Sequence, residues 1–81
     1  MQVTVQFFSQ LREIASTSEE ALELAEGATV ADLLAQLYRL HPELAKWERQ
    51  ILVGVGVEFV ERTHVIQPGD EIAIMPPVQG G

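Results

Sequence analysis

Cysteine is missing from this sequence of 81 residues, and basic side chains are few. Without cysteine there can be no disulfide bond, thiolate zinc site or cysteine nucleophile, so the fold must be held together by packing. Five lysines and arginines stand against twelve aspartates and glutamates, which gives a formal net charge of −7. Nucleic acids and anionic membranes both attract basic surfaces, so we expect neither as a partner. A protein with a basic groove would suit this charge.

Long apolar runs are also absent. No stretch approaches the length that crosses a membrane, and the first residues, Met1–Val5, have neither the basic nor the apolar part of a secretion signal. We therefore expect a cytoplasmic protein. At this length we expect one domain with one core and little room for a deep catalytic cavity. The size favours a carrier, a binding module or a subunit over a free-standing enzyme.

The first part of the chain alternates between apolar and polar residues. Val3, Val5 and Phe7 share one parity, which predicts a strand with one buried face and leaves Phe8 on the outward side. Leu11 and Ile14 have the spacing of a short helical turn. Alternation resumes at 21–24, where we expect a second strand antiparallel to the first.

A helix follows the stop at Glu26 and Gly27. Thr29 precedes Asp32 by three residues, as in a capping box. Pro42 predicts the end of the helix, and residues 42–47 could form another short turn. The apolar residues between these signals fall at helical spacing and predict one stripe that belongs to the core: Val30, Leu33, Leu34, Leu37 and Leu40.

The last third returns to strand patterns. We expect strands at 51–55, 57–60 and 71–75, with a turn at Pro68-Gly69-Asp70 before the last one. The element order predicts a two-layer α+β domain over residues 1–75. We expect residues 76–81 to form an extended tail, since Pro76 and Pro77 favour polyproline geometry and donate no backbone hydrogen bonds.

The tail ends in Gly80 and Gly81, which suggests chemistry at a carboxylate. A tail without side chains can thread a narrow channel and lie against the nucleotide site of an enzyme. Coupling the Gly81 carboxylate to a nucleotide phosphate would give a mixed anhydride, which a sulfur nucleophile could convert to a thiocarboxylate. That route needs no cysteine in this chain. The alternative is a frayed end without function.

Three segments, 7–13, 27–34 and 69–81, carry a resemblance that spans nearly the whole chain. With the ending Pro-Pro-Val-Gln-Gly-Gly as its most specific part, the sequence resembles the small subunits of molybdopterin synthase, a family of ubiquitin-like sulfur carriers. The resemblance implies a β-grasp fold, a mixed sheet of about five strands packed on one main helix. One departure is Gly56, where the family commonly has an asparagine that tolerates positive φ; glycine tolerates it at least as well.

The resemblance also implies a mechanism with several partners. An adenylating enzyme similar to those that activate ubiquitin would use ATP on Gly81, and a sulfurtransferase would supply the sulfur. The thiocarboxylated tail would then enter the large subunit, which holds the catalytic pocket, and donate sulfur to cyclic pyranopterin monophosphate. This chain itself would bind no cofactor.

A partner surface is predicted beside the tail. Phe8 and Met75 both face away from the helix by strand parity, and the first and last strands of a β-grasp sheet are neighbours, so the two could form one exposed apolar patch. Arg12 could pair with a carboxylate of the partner, and Pro76, Pro77 and Val78 would enter the interface. The alternatives are that Phe8 packs under the turn at residues 11–14 and that Arg12 is a solvated surface residue.

Other functions remain open at this point. The same tail chemistry would serve a sulfur carrier for thiamin synthesis or tRNA thiolation. A protein modifier joined through Gly81 is another class, in which self-conjugates could form only at Lys46, the one lysine, or at Met1. A ubiquitin-like interaction domain with an inert tail is the simplest alternative.

We expect His41 and His64, which have no ligand spacing around them, to be surface or loop residues and not metal ligands.

Overall fold

The computed structural model of the chain describes residues 1–77, and its centre is a five-stranded sheet. Its elements in chain order are β1 (Gln2–Phe7), α1 (Gln10–Ala15), β2 (Glu19–Glu23), α2 (Val30–Leu40), a 3₁₀ helix (Pro42–Trp47), β3 (Leu52–Val55), β4 (Glu58–Val60) and β5 (Glu71–Met75). Val78, Gly80 and Gly81, which the sequence marks as functional, lie outside the described residues. No helix within residues 1–77 has the length and apolar character needed to span a bilayer.

The strand order in the sheet is β2-β1-β5-β3-β4. β1 and β5 run parallel, and the other three neighbouring pairs are antiparallel. This confirms the predicted mixed sheet, the antiparallel first hairpin and the contact between the first and last strands. The architecture is the β-grasp arrangement that the resemblance implied.

The core lies between one face of this sheet and α2. Val3, Val5 and Phe7 of β1 are all buried, as the alternation predicted, and Ile72 and Ile74 of β5 lie beside them. Four residues of the predicted stripe on α2, namely Val30, Leu33, Leu34 and Leu37, are at most 1% exposed. Side chains of this kind stabilise a fold by roughly 1.5–3 kcal/mol each when they leave water.

The prediction was wrong for Leu40, the last member of the stripe. Leu40 is 51% exposed, whereas Leu37, one turn earlier, is fully buried. At 3.6 residues per turn, Leu40 is about 70° from the middle of the buried stripe. It is also the final residue of α2, so nothing beyond it extends the core.

The start of α2 is fixed by side-chain and backbone hydrogen bonds. Thr29 and Asp32 form the predicted capping box, with distances of 2.9 and 3.3 Å. The two N–H groups between them, those of Val30 and Ala31, donate to the carbonyl oxygens of His64 and Arg62, respectively. These are donors that an α-helix cannot satisfy internally, so the 61–66 loop caps the helix and is held close to it.

Glycine supplies the positive φ in the turns that precede β4 and β5. Gly56 has φ +62° in the β3–β4 turn, which confirms that glycine fills the position expected of a turn-forming asparagine. Gly69 has φ +88° in the predicted turn before β5, where the Asp70 side chain accepts from the Gln67 N–H at 2.9 Å. Val57 belongs to the first of these turns, so β4 begins one residue later than predicted.

A polar cluster joins α2 to the segment after the 3₁₀ helix. The Tyr38 hydroxyl donates to Glu48 Oε2, and Arg62 Nη2 donates to the Glu48 backbone oxygen at 2.8 Å. The Arg62 Nε atom also lies 3.9 Å from Glu48 Oε1. Burial and the neighbouring Glu48 carboxylate both raise the pKa of the Tyr38 phenol above its ordinary value.

This shift predicts how the protein responds to alkali. Tyr38 is the single tyrosine, so phenolate absorbance reports one site. Since the folded pKa is raised, the contribution of the neutral phenol to stability is complete below about pH 10 and is lost as the pH rises from there towards the folded pKa. We expect no phenolate signal near pH 10 while the protein stays folded. Ultraviolet titration beside Trp47 fluorescence tests this, and phenolate formation at pH 10 without unfolding would contradict it.

Candidate functional site

Two neighbouring phenylalanines lie on opposite faces of the sheet at the end where β1 and β5 finish. Phe7 pairs with Ile74 in the parallel ladder and is 2% exposed. The Phe8 N–H donates to the Ile74 oxygen at 3.1 Å, so Phe8 continues the pairing for one residue. Its side chain is 43% exposed, which excludes the alternative that Phe8 packs into the core.

Phe8 lines an open groove of about 490 Å³ at the start of the tail. We call it the tail-root groove; its lining residues are Phe8, Ser9, Gln10, Trp47, Met75, Pro76 and Pro77. The structure thus brings together Phe8, Met75, Pro76 and Pro77, four of the six residues predicted to bind a partner. Trp47 was missed by sequence reasoning, because only the packing of the 3₁₀ helix against the core places it there.

The apolar surface continues past Met75 towards the β3–β4 turn. Met75 also lines a second concavity, of about 120 Å³, together with Gly54, Val57, Phe59 and Ala73. Phe59 is 66% exposed and Val57 is fully exposed. Met75 packs over Gly54: its Cε atom would lie 3.8 Å from a Cβ at that position, an ordinary van der Waals contact.

Sequence reasoning missed Phe59 and Val57 as parts of this surface. A signal was available for Phe59, since its strand neighbour Val60 packs against the core and alternate residues face opposite sides. What the pattern could not supply was the pairing of Gly54 with both Phe59 and Ala73, which places these residues in one row. We call the surface formed by Phe8, Phe59, Ala73 and Met75 the apolar strip.

The other half of the same sheet face is polar and acidic. Residues of β1, β2 and the turn before β5 line a shallow concavity of about 280 Å³, among them Thr4, Gln6, Glu19, Asp70 and Glu71. The outer face is therefore divided into an apolar part, next to the tail, and an acidic part. A partner that covers the whole face would need an apolar area bordered by basic side chains.

Arg12 lies at the boundary between these two parts. It is exposed, and it shares a concavity of about 210 Å³ with Phe8 and Glu19. Within residues 1–77 its guanidinium makes no hydrogen bond or salt bridge. Arg12 is thus placed where a carboxylate of a docked protein could reach it, beside the apolar strip.

The two histidines line neither the tail-root groove nor the apolar strip, and each faces a carboxylate. His41 Nε2 is 2.7 Å from Glu20 Oε1, and the His41 ring meets the Phe7 ring edge-on at 6.1 Å. His64 Nε2 is 3.8 Å from Asp70 Oδ2. Among residues 1–77 no group of three or more His, Asp and Glu side chains has the arrangement of a metal site.

The chain is similar to proteins of one kind over its full length. A sequence profile described as the ThiS family matches residues 5–81. The molybdopterin synthase sulfur carrier subunit of Chlamydomonas reinhardtii is 37% identical, with all of this chain and all of that protein covered.

Solved structures with the same fold include two that differ in their descriptions. A protein from Pyrococcus furiosus, described as a molybdopterin converting factor subunit 1, has a TM-score of 0.88 and 27% identity, with 96% of this chain and 99% of that chain covered. The structure of SAMP1 from Haloferax volcanii has a TM-score of 0.85 and 28% identity, with both chains fully covered.

Proposed function

Because the chain belongs to the ThiS family, we propose that it is the sulfur carrier subunit of a molybdopterin synthase. The observation that carries the proposal is the end-to-end match, at 37% identity, with a relative that bears this name. The structure adds a suitable surface, since the apolar strip and the tail-root groove lead directly into the segment that ends in Gly80 and Gly81.

The chemistry begins at the carboxylate of Gly81. One carboxylate oxygen attacks the α-phosphorus of ATP in an adenylating enzyme, so a new O–P bond forms and pyrophosphate leaves. A sulfur nucleophile delivered by a sulfurtransferase then attacks the acyl carbon, and AMP leaves with the bonding electrons of the C–O bond. When the nucleophile is the terminal sulfur of a donor persulfide, the product is an acyl disulfide, and a thiol reductant then cleaves its S–S bond to leave a thiocarboxylate on Gly81. This is covalent catalysis in which the activated group is the chain terminus itself.

The thiocarboxylate then acts inside the large subunit. There its sulfur is transferred to cyclic pyranopterin monophosphate, and the carboxylate of Gly81 is regenerated as water replaces the sulfur. This chain supplies the sulfur and the docking surface, while the pocket that binds the pterin belongs to the partner. Glycines at 80 and 81 suit this task because a tail without Cβ atoms fits a narrow channel.

Residues of the described domain hold the tail in position. Pro76 and Pro77 fix φ and offer no N–H groups, so the tail does not continue the hydrogen-bonded ladder of β5. Phe8 and Met75 provide apolar contact at the point where the tail leaves the domain. Aromatic side chains and methionine are enriched in the buried centres of protein interfaces. Arg12 adds a charged contact at the edge of this surface.

The test is the intact mass of the protein after incubation with a matching adenylating enzyme, ATP and a sulfur donor. We expect a mass gain equal to the difference between sulfur and oxygen, and we expect deletion of Gly81 to abolish it. Addition of the large subunit and the pterin precursor should then return the mass to its starting value. No gain with an enzyme that charges another carrier would refute the proposal.

A second function is favoured by one comparison. Another structure of SAMP1 from Haloferax volcanii is described as that of a small archaeal modifier protein, and it is also 28% identical to this chain. If this chain were a modifier, Gly81 would form amide bonds with lysines of other proteins. Conjugates of higher mass that contain the chain and disappear on deletion of Gly81 would support this function.

A further inference from the structure

Amino groups, which are the natural competitors of sulfur for an activated acyl group, are nearly absent from this chain. Lys46 is the single lysine, and the remaining four basic residues are arginines, whose guanidinium groups stay protonated and are poor nucleophiles. The amino group of Met1 donates to the Leu24 oxygen at 2.7 Å and lies 3.5 Å from Glu23 Oε2, so it is held against the domain. Lys46 therefore carries the one freely exposed amine of the described domain.

Lys46 directly precedes a residue that lines the groove at the start of the tail. Its side chain is 72% exposed, and its only ionic contact within residues 1–77 is with Glu43, one turn away, at 3.2 Å. The next residue, Trp47, lines the tail-root groove together with Pro76 and Pro77. The 3₁₀ helix that carries Lys46 thus contributes one residue, Trp47, to the groove from which the tail departs.

The length of the tail limits how far Gly81 can reach from Pro77. Four residues follow Pro77, and an extended chain spans at most roughly 3.3–3.6 Å per residue, or about 14 Å in total. A reactive group on so short a tether has an effective concentration in the millimolar range at a site within its reach. An activated Gly81 would meet Lys46 far more often than it meets an amine of a second molecule in dilute solution.

We propose that Lys46 is a self-acylation site of the activated chain. Its Nζ lone pair attacks the acyl carbon of Gly81, a C–N bond forms, the bond to the leaving group breaks, and one proton passes to solvent. With the adenylate the leaving group is AMP; with a thioester it is a thiol. The product is a closed ring that can no longer carry sulfur. The proposal rests on the proposed function only in that Gly81 becomes activated.

A docked partner would protect the activated carrier from self-acylation at Lys46. A protein that covers the tail-root groove and draws the tail into its own channel separates Gly81 from Lys46. The free, activated chain has no such protection. Self-acylation thus removes carriers that are activated without an acceptor, and the exposed Lys46 sets the rate of that loss.

The test uses a chemically made thioester, so that no activating enzyme is required. The full chain is produced as an intein fusion and released with a small thiol, which leaves a thioester at Gly81. In mildly alkaline buffer we expect a product one water lighter than the free acid. Peptide mapping should join residue 81 to residue 46, and the yield should not depend on protein concentration.

Two variants control this experiment. Lys46→Arg keeps the charge and should lose the ring product entirely, leaving hydrolysis alone. Lys46→Arg combined with Glu26→Lys places the lysine near Met1 at the opposite end of the domain, roughly 20 Å away along β1, and should also fail to form a ring. Hydrolysis alone in the original chain, a product found only as a dimer, or equal ring formation in the second variant would each overturn the proposal. A failed sulfur-transfer assay would leave the thioester result unaffected.

Discussion

Replacing Phe7 with alanine should lower the free energy of unfolding by about 3–5 kcal/mol, the usual cost of removing a buried phenylalanine. Phe7 is 2% exposed, lies opposite Ile74 in the parallel ladder and meets the His41 ring edge-on. The cavity cannot be filled easily, because rigid strands and α2 surround it. A domain of this size is stable by roughly 4–12 kcal/mol in total, so the variant should be close to unfolding at room temperature.

The adjacent residue provides the control for this prediction. Phe8→Ala removes the same side chain from the opposite face, where it is 43% exposed, and should cost less than about 1 kcal/mol. Urea unfolding followed by Trp47 fluorescence and circular dichroism measures both variants. Equal losses at the two positions would mean that Phe8 is part of the core and would remove the basis of the docking surface.

The fold could be predicted from the sequence wherever the signal was local. The alternation of Val3, Val5 and Phe7 fixed the buried face of β1, and the Thr29–Asp32 box located the start of α2. Boundaries were less accurate: β2 begins at Glu19, two residues before the alternation becomes visible. Leu40 has the right spacing but lies beyond the core, which helical periodicity alone cannot reveal.

The candidate site was predictable only in part, for a related reason. Strand parity and the contact between the first and last strands were enough to place Phe8 near Met75. Trp47 and Phe59 join the surface through tertiary packing of the 3₁₀ helix and the β3–β4 hairpin. Neither helical nor strand periodicity in the sequence indicates those contacts. The predictions for Gly80 and Gly81 concern residues outside the described part of the chain and stay predictions.

The largest expected effect on function in the described domain concerns the apolar strip. Phe8→Ala should weaken binding to the large subunit of molybdopterin synthase by at least about 2 kcal/mol, or roughly 30-fold in Kd. Replacing an aromatic residue at the centre of an interface with alanine can weaken binding by this amount, because the side chain is fully removed from water only in the complex. Phe8 is half-exposed in the free chain and adjoins Met75 and the start of the tail.

Leu40→Ala is the matched control, since Leu40 is a large apolar residue that is 51% exposed and belongs to the helical layer, away from the apolar strip. If exposed apolar area alone promoted association, both variants would lose affinity to a similar degree. If the apolar strip is the docking surface, only Phe8→Ala should bind weakly, and Phe59→Ala should show how far the contact extends from the tail. Isothermal titration of each folded variant with the large subunit decides between these cases. Unchanged affinity for Phe8→Ala would leave the tail as the sole determinant of binding, and the division of the sheet face into apolar and acidic halves would then need another explanation.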